Sequence, residues 1–135
     1  MATITLDFEG YYLDEDSKVY FPEKQGIYCV YKAIHNKEKD TVSLKELIYI
    51  GESENLNERI TSHEKWDNWK KKLEKNHCLV LTYATTTSNR ERAEKVLIYN
   101  HEPICNEKNT ESHNVTNLII KTKGKNSHLE DEYEV

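Results

Sequence analysis

Glycine, proline, cysteine and methionine are scarce in this chain, at 4, 2, 3 and 1 of 135 residues. So few glycines and prolines exclude long flexible linkers. The cysteines, Cys29, Cys78 and Cys105, are odd in number, scattered, and form no Cys-x-x-Cys pair. That pattern excludes a disulfide framework and a cysteine zinc site, and suits small buried hydrophobes in a reducing compartment. No apolar run reaches membrane-spanning length. The start of the sequence has no basic-then-apolar pattern. The expectation is a cytoplasmic protein with no membrane partner. No internal repeat or low-complexity segment is present.

What remains is a soluble globular balance: 36% hydrophobic and 32% charged residues, in a length that suits one core. The formal net charge is −5 and the pI about 5.7, which counts against a nucleic-acid binder. The acids, however, cluster at Asp14, Glu15 and Asp16 and again at Glu130, Asp131, Glu132 and Glu134. The middle is locally basic, with Arg59, Lys65, Lys70, Lys71, Lys72, Lys75, Arg90, Arg92 and Lys95. Those cations fit a solvated helix face or a phosphate-facing field equally well.

Hydrophobic alternation predicts a short strand over residues 3–8, then an acidic turn. Residues 26–34 read as a strand with Tyr28, Val30, Lys32 and Ile34 on one face and Ile27, Cys29, Tyr31 and Ala33 on the other. A charged loop over 35–40 leads to a second strand over 44–50. Asn55, with Glu58 three residues on, signals a helix start. Trp66, Trp69 and Leu73 predict a second helix. Residues 78–84 read as a buried strand, and Ser88 with Glu91 as the capping box of a helix running to His101, closed by Pro103. Residues 118–121 suggest a last edge strand, and the chain from Lys123 reads as a frayed polar tail. The expected fold is α/β: a small, mostly antiparallel central sheet flanked by helices. Residues 1–23 form an N-terminal β extension packing on a core domain at 24–122, and 123–135 an acidic tail.

Two short motifs organise this pattern. Gly26-Ile27-Tyr28 opens the first strand and Tyr49-Ile50-Gly51 closes the second, so an antiparallel hairpin brings the two tyrosines to one end. Arg59 follows on the next helix, with His63 one turn later. Arg92-Ala93-Glu94-Lys95-Val96-Leu97-Ile98 and Pro103-Ile104-Cys105-Asn106 come next in order. This conjunction, over roughly residues 24–108, resembles the GIY-YIG nuclease superfamily. The resemblance implies a metal-dependent DNA endonuclease with a site of Tyr28, Tyr49, Arg59, His63, Glu94 and Asn106, framed by the motif glycines Gly26 and Gly51.

By that resemblance Glu94 is the metal ligand, for Mg2+ or Mn2+, and Tyr28 the general base. A cation held by few protein ligands and several waters suits phosphodiester hydrolysis, and Arg59 offers an always-charged fork for the phosphate. A free tyrosine titrates near ~10, so the site must lower Tyr28 or pass its proton on. His63 is the expected acceptor or hydrogen-bond partner. Tyr49 would position water or phosphate, and Asn106 would orient neighbours. Lys65, Lys70, Lys71, Lys72 and Arg90 are candidate DNA contacts. Tyr31, Tyr83 and Tyr99 read as packing residues. His35, His77, His101, His113 and His128 have no metal-ligand spacing. No separate DNA-recognition domain is visible, and a homodimer would suit a palindromic cutter. Two alternatives stand beside this reading: a non-catalytic nucleic-acid or protein-binding module, and a partner-dependent nuclease subunit of a repair or defence complex.

Overall fold

The computed structural model describes residues 1–108 and 110–135. Its elements run β1 (Ala2–Leu13), α1 (Asp14–Tyr20), β2 (Gly26–Asn36), β3 (Thr41–Ser53), α2 (Leu56–Thr61), α3 (Trp66–Lys70), β4 (Cys78–Thr85), α4 (Arg90–His101), β5 (Leu118–Gly124) and β6 (Glu132–Glu134). The strands form one sheet in the order β3-β2-β4-β1-β5-β6.

β2 is buried on both sides, and its alternation divides the interior. Ile27, Cys29, Tyr31 and Ala33 face a core shared with Ala93, Val96 and Leu97 of α4. Tyr28 and Val30 face a second core with Leu56, Ile60, Trp66 and Trp69 from α2 and α3. A strand covered on both faces needs apolar residues at nearly every position, and β2 has them. Helices thus flank the sheet on both faces, with α4 on one and α2 and α3 on the other.

Four expectations change. The sheet is mixed, because β1 runs parallel to β5, from Ala2 opposite Leu118 to Phe8 opposite Gly124. β1 is also an inner strand, paired with β4 on its other side, so residues 1–23 contribute to the centre of the sheet as well as packing on it. The tail is not frayed at its end: β6 pairs with β5 and buries Tyr133. The acidic turn after β1 is a helix, α1, with Asp14, Glu15 and Asp16 in its first turn, where the helix dipole favours negative charge. The tryptophan helix is a short α3, with Trp69 fully buried and Trp66 nearly so.

Candidate active site

The hairpin places the two motifs against each other. Tyr28 of β2 pairs with Gly51 of β3, and Gly26 with Ser53. The glycines serve close approach here. A Cβ on Gly51 would lie 2.3 Å from both Cζ and the hydroxyl oxygen of Tyr28. A Cβ on Gly26 would lie 2.2 Å from the carbonyl oxygen of Ala84. Gly51 therefore makes the space that the Tyr28 phenol fills, and Gly26 lets β2 and β4 come together.

On this face Tyr28, Tyr49 and His63 form an aromatic cluster. The Tyr28 and Tyr49 rings stack with centroids 6.1 Å apart, and His63 meets both edge-on at 5.9 and 5.5 Å. Asn55 caps α2 by accepting the Glu58 N–H, as its position predicts. α2 then carries Arg59, and the turn that follows carries His63. The His63 side chain is fully buried. Its Nδ1 accepts the backbone N–H of Lys65 at 3.0 Å, and its Nε2 lies 2.8 Å from the Tyr28 hydroxyl. A neutral imidazole with Nδ1 as acceptor carries its proton on Nε2. Burial, then the charge of Arg59, pushes the imidazole down to about 4, so it is neutral at pH 7. His63 therefore donates to Tyr28 and is not its proton acceptor. The Tyr28 hydroxyl proton is left to point elsewhere.

α4 lies on the opposite face and packs on β3 and β2. β3 is one of the sheet's two edge strands, and at this edge Glu94 and Arg90 line one cleft with the tyrosines. A cleft of about 660 Å³ is lined by Tyr28, Tyr49, Glu52, Arg59, Arg90 and Glu94, among others. Among the described residues the ion pairs of this cleft are Arg59 with Glu64 and Arg90 with Glu52 and Glu91, and Glu94 takes part in none of them. Burial and the neighbouring Glu52 push the Glu94 carboxyl up to about 7. Burial pushes Tyr28 well above its usual range and Arg59 pulls it back in part. Tyr49 is raised as well, by burial and then by Glu94.

The structure brings Tyr28, Tyr49, Arg59 and Glu94 to one cleft, with His63 behind Tyr28. Asn106 works from the side. Its Oδ1 accepts the Ile50 N–H and its Nδ2 donates to the Ile50 carbonyl, both at 2.9 Å. Cys105 N–H also donates to the Ile48 carbonyl at 2.9 Å. The segment after α4 thus covers the free edge of β3 and fixes the strand that carries Tyr49. Arg90 lines the cleft but its guanidinium is engaged by Glu52 and by Gln25. Lys65 lies in an adjoining hollow, paired with Glu107 at 3.8 Å. Lys70 lies over the Trp66 ring, and Lys70, Lys71 and Lys72 are exposed and do not line the cleft.

Glu94 fits a hard divalent cation. Among the described residues this carboxylate has no ion-pair partner, and it shares one cleft with the two phenols. Among the described residues no group of three His, Cys, Asp or Glu side chains could form an all-protein metal cage. A cation here would keep most of its ligands as water. Two neighbours went unread in the sequence. Glu52 follows the second motif directly and faces Glu94 through space. Glu64 is five residues from Arg59, a separation that leaves α2 and so carries no helical signal.

The family model for the GIY-YIG catalytic domain matches residues 24–109. The chain therefore belongs to the GIY-YIG family of nuclease domains. Among solved structures it is similar to the GIY-YIG N-terminal endonuclease domain of UvrC from Thermotoga maritima, a point mutant bound to its catalytic divalent cation. The identity is 22% and the TM-score 0.46, over 70% of this chain and 96% of that one. No curated protein matches. Among the described residues no helix is long and apolar enough to cross a membrane.

Proposed function

We propose that this chain hydrolyses phosphodiester bonds in DNA with a divalent cation, Mg2+ or Mn2+, as cofactor. The observation that carries the reading is the relay from Lys65 N–H through His63 to Tyr28, set in one cleft with Arg59 and Glu94. Glu94 would hold the cation, which when bound supplies positive charge at the phosphoryl oxygens and acidifies water.

The chain's own residues do the rest. The Nε2–H of His63 stays on the Tyr28 oxygen whether that oxygen is phenol or phenolate, so it stabilises the charged form without giving up its proton. Arg59 pulls in the same direction through its charge. Once Tyr28 has lost its hydroxyl proton to solvent, its phenolate takes a proton from the attacking water while the water oxygen bonds to phosphorus. The P–O bond to the leaving oxygen breaks, and that oxygen takes a proton from solvent. Arg59 balances charge on the phosphoryl group, an electrostatic role typically worth on the order of 10²–10³ in rate. Tyr49 stacks on Tyr28 and positions the water or phosphate.

Supercoiled, linear, branched and single-stranded DNA, each incubated with Mg2+ or with EDTA, test this. Cutting of at least one substrate with Mg2+ and of none with EDTA is expected. Equal cutting in EDTA, or none in Mg2+, contradicts it.

His63 gives a further expectation, for stability. Its pKa is lowered on folding, from 6.5 to about 4, so between those values the unfolded chain binds a proton that the folded chain refuses. Stability therefore falls as pH drops through that window. Urea unfolding at pH 7 and pH 5 should show the wild type losing roughly 1–2 kcal/mol more than His63→Gln over that interval. Equal losses would mean that His63 is protonated in the fold.

A further inference from the structure

We infer that Glu64 is a built-in competitor for substrate phosphate, holding the guanidinium fork of Arg59 until a phosphodiester displaces it. The inference rests on the proposed nuclease reading, since it takes Arg59 as the phosphate contact.

Each terminal nitrogen of Arg59 donates one hydrogen to Glu64. Nη1 donates to Oε2 at 2.7 Å and Nη2 to Oε1 at 3.0 Å. This two-pronged, planar pairing is the one a guanidinium offers to a phosphate. One anion therefore excludes the other from the fork. The pairing also holds Glu64 down to about 2, so no physiological pH opens it.

The cleft that holds Tyr28 and Glu94 has two arginines, and each is already matched to a carboxylate, Arg59 to Glu64 and Arg90 to Glu52. A phosphate that takes the two-pronged pairing at a fork already occupied has to break one of these pairs. Exposure decides which. The Arg90 and Glu52 side chains are 13% and 25% exposed, and Gln25 also holds Arg90. Arg59 and Glu64 are 34% and 64% exposed. The second pair is the weaker of the two, because an exposed ion pair contributes little. Glu64 also has somewhere to go. It lines the adjoining hollow of about 240 Å³, which holds Lys65 and Lys108.

Displacing Glu64 costs binding energy on every substrate, so removing it should tighten binding. Duplex binding is measured by anisotropy of a fluorescein-labelled oligonucleotide in EDTA, where no cutting occurs. Glu64→Gln and Glu64→Ala should each bind roughly two- to fivefold tighter than wild type. Glu58→Gln is the control. Glu58 lines the same cleft but does not pair with Arg59, so its loss removes a charge without opening the fork. A carboxylate that only orients Arg59 predicts the opposite sign, weaker binding in both Glu64 variants. Weaker binding, no change, or an equal gain in Glu58→Gln overturns the inference.

A second readout separates this inference from the nuclease reading. Dimethyl phosphate, titrated into 15N-labelled protein, should shift the Arg59 Nε–Hε signal at lower concentration in Glu64→Gln than in wild type. If the wild type cuts no DNA, the nuclease reading fails, and this titration still decides the role of Glu64. Equal shifts, or none in either protein, overturn it.

Discussion

Glu94→Gln should stop Mg2+-dependent cleavage, by at least about 10²-fold, and make the metal-free protein more stable at alkaline pH. Both effects come from one carboxyl. Burial and Glu52 raise it to about 7, above its unfolded value of 4.5. Between those values the folded state binds a proton that the unfolded state has lost, so stability falls as pH rises through the window. Above pH 7 the full cost of a partly buried anion is present, on the order of 2 kcal/mol after allowing for its contact with water. Glutamine keeps the shape and removes the charge. In EDTA at pH 8 its melting temperature should exceed that of wild type by several degrees, and the two should converge near pH 5. Mg2+ should reverse the order by stabilising only the wild type. Melting curves at two pH values, with and without Mg2+, check all of this. A variant less stable than wild type at pH 8 in EDTA would mean that Glu94 has a protein partner after all.

Gly51→Ala should be nearly as damaging to activity and worse for the fold. The added Cβ would sit 2.3 Å from the Tyr28 ring and hydroxyl. Tyr28 is held on β2, buried, and bonded to His63. Either the phenol or the hairpin must move. Overpacking of this kind costs typically 1–3 kcal/mol and sometimes more, and a shift of about 1 Å at a reacting group can cost 10²-fold in rate. Tyr28→Phe would not relieve the strain, because Cζ is as close as the oxygen. Adding Tyr28→Ala should relieve it, so the double variant should be destabilised by less than the sum of the two single changes. Urea unfolding of the four proteins provides the cycle. Strict additivity would show that the contact is not the cause.

The second prediction also shows why this site was readable in the sequence. The two motifs are local to one hairpin, and the Tyr28–Gly51 contact is a consequence of strand register. Period-two alternation sorted the two faces of β2 correctly, and Asn55 and Pro103 marked helix ends by local chemistry. The misreadings have different causes. β1 pairs with β5 across more than a hundred residues, and no local pattern reports which strand will be inner. β6 is a buried tyrosine between two glutamates, too short for alternation to register. The capping box at Ser88 does not form, because Asn89 takes a left-handed conformation just before α4. The tautomer of His63 depends on a backbone N–H two residues away, and the Arg59–Glu64 pair on the turn that follows α2. Sequence patterns name the candidate residues here, but tertiary geometry fixes the direction of each hydrogen bond among them.

The most direct test of the account is single-turnover cleavage by Tyr28→Phe beside wild type, with Mg2+, on whichever DNA the wild type cuts. Phenylalanine keeps the ring that fills the space over Gly51 and removes only the hydroxyl that His63 supports. The predicted result is a variant that folds, binds the DNA within a few-fold of wild type, and cleaves it at least about 10²-fold more slowly. Cleavage at the wild-type rate would contradict the account, because the His63–Tyr28 pair would then lie outside the reaction.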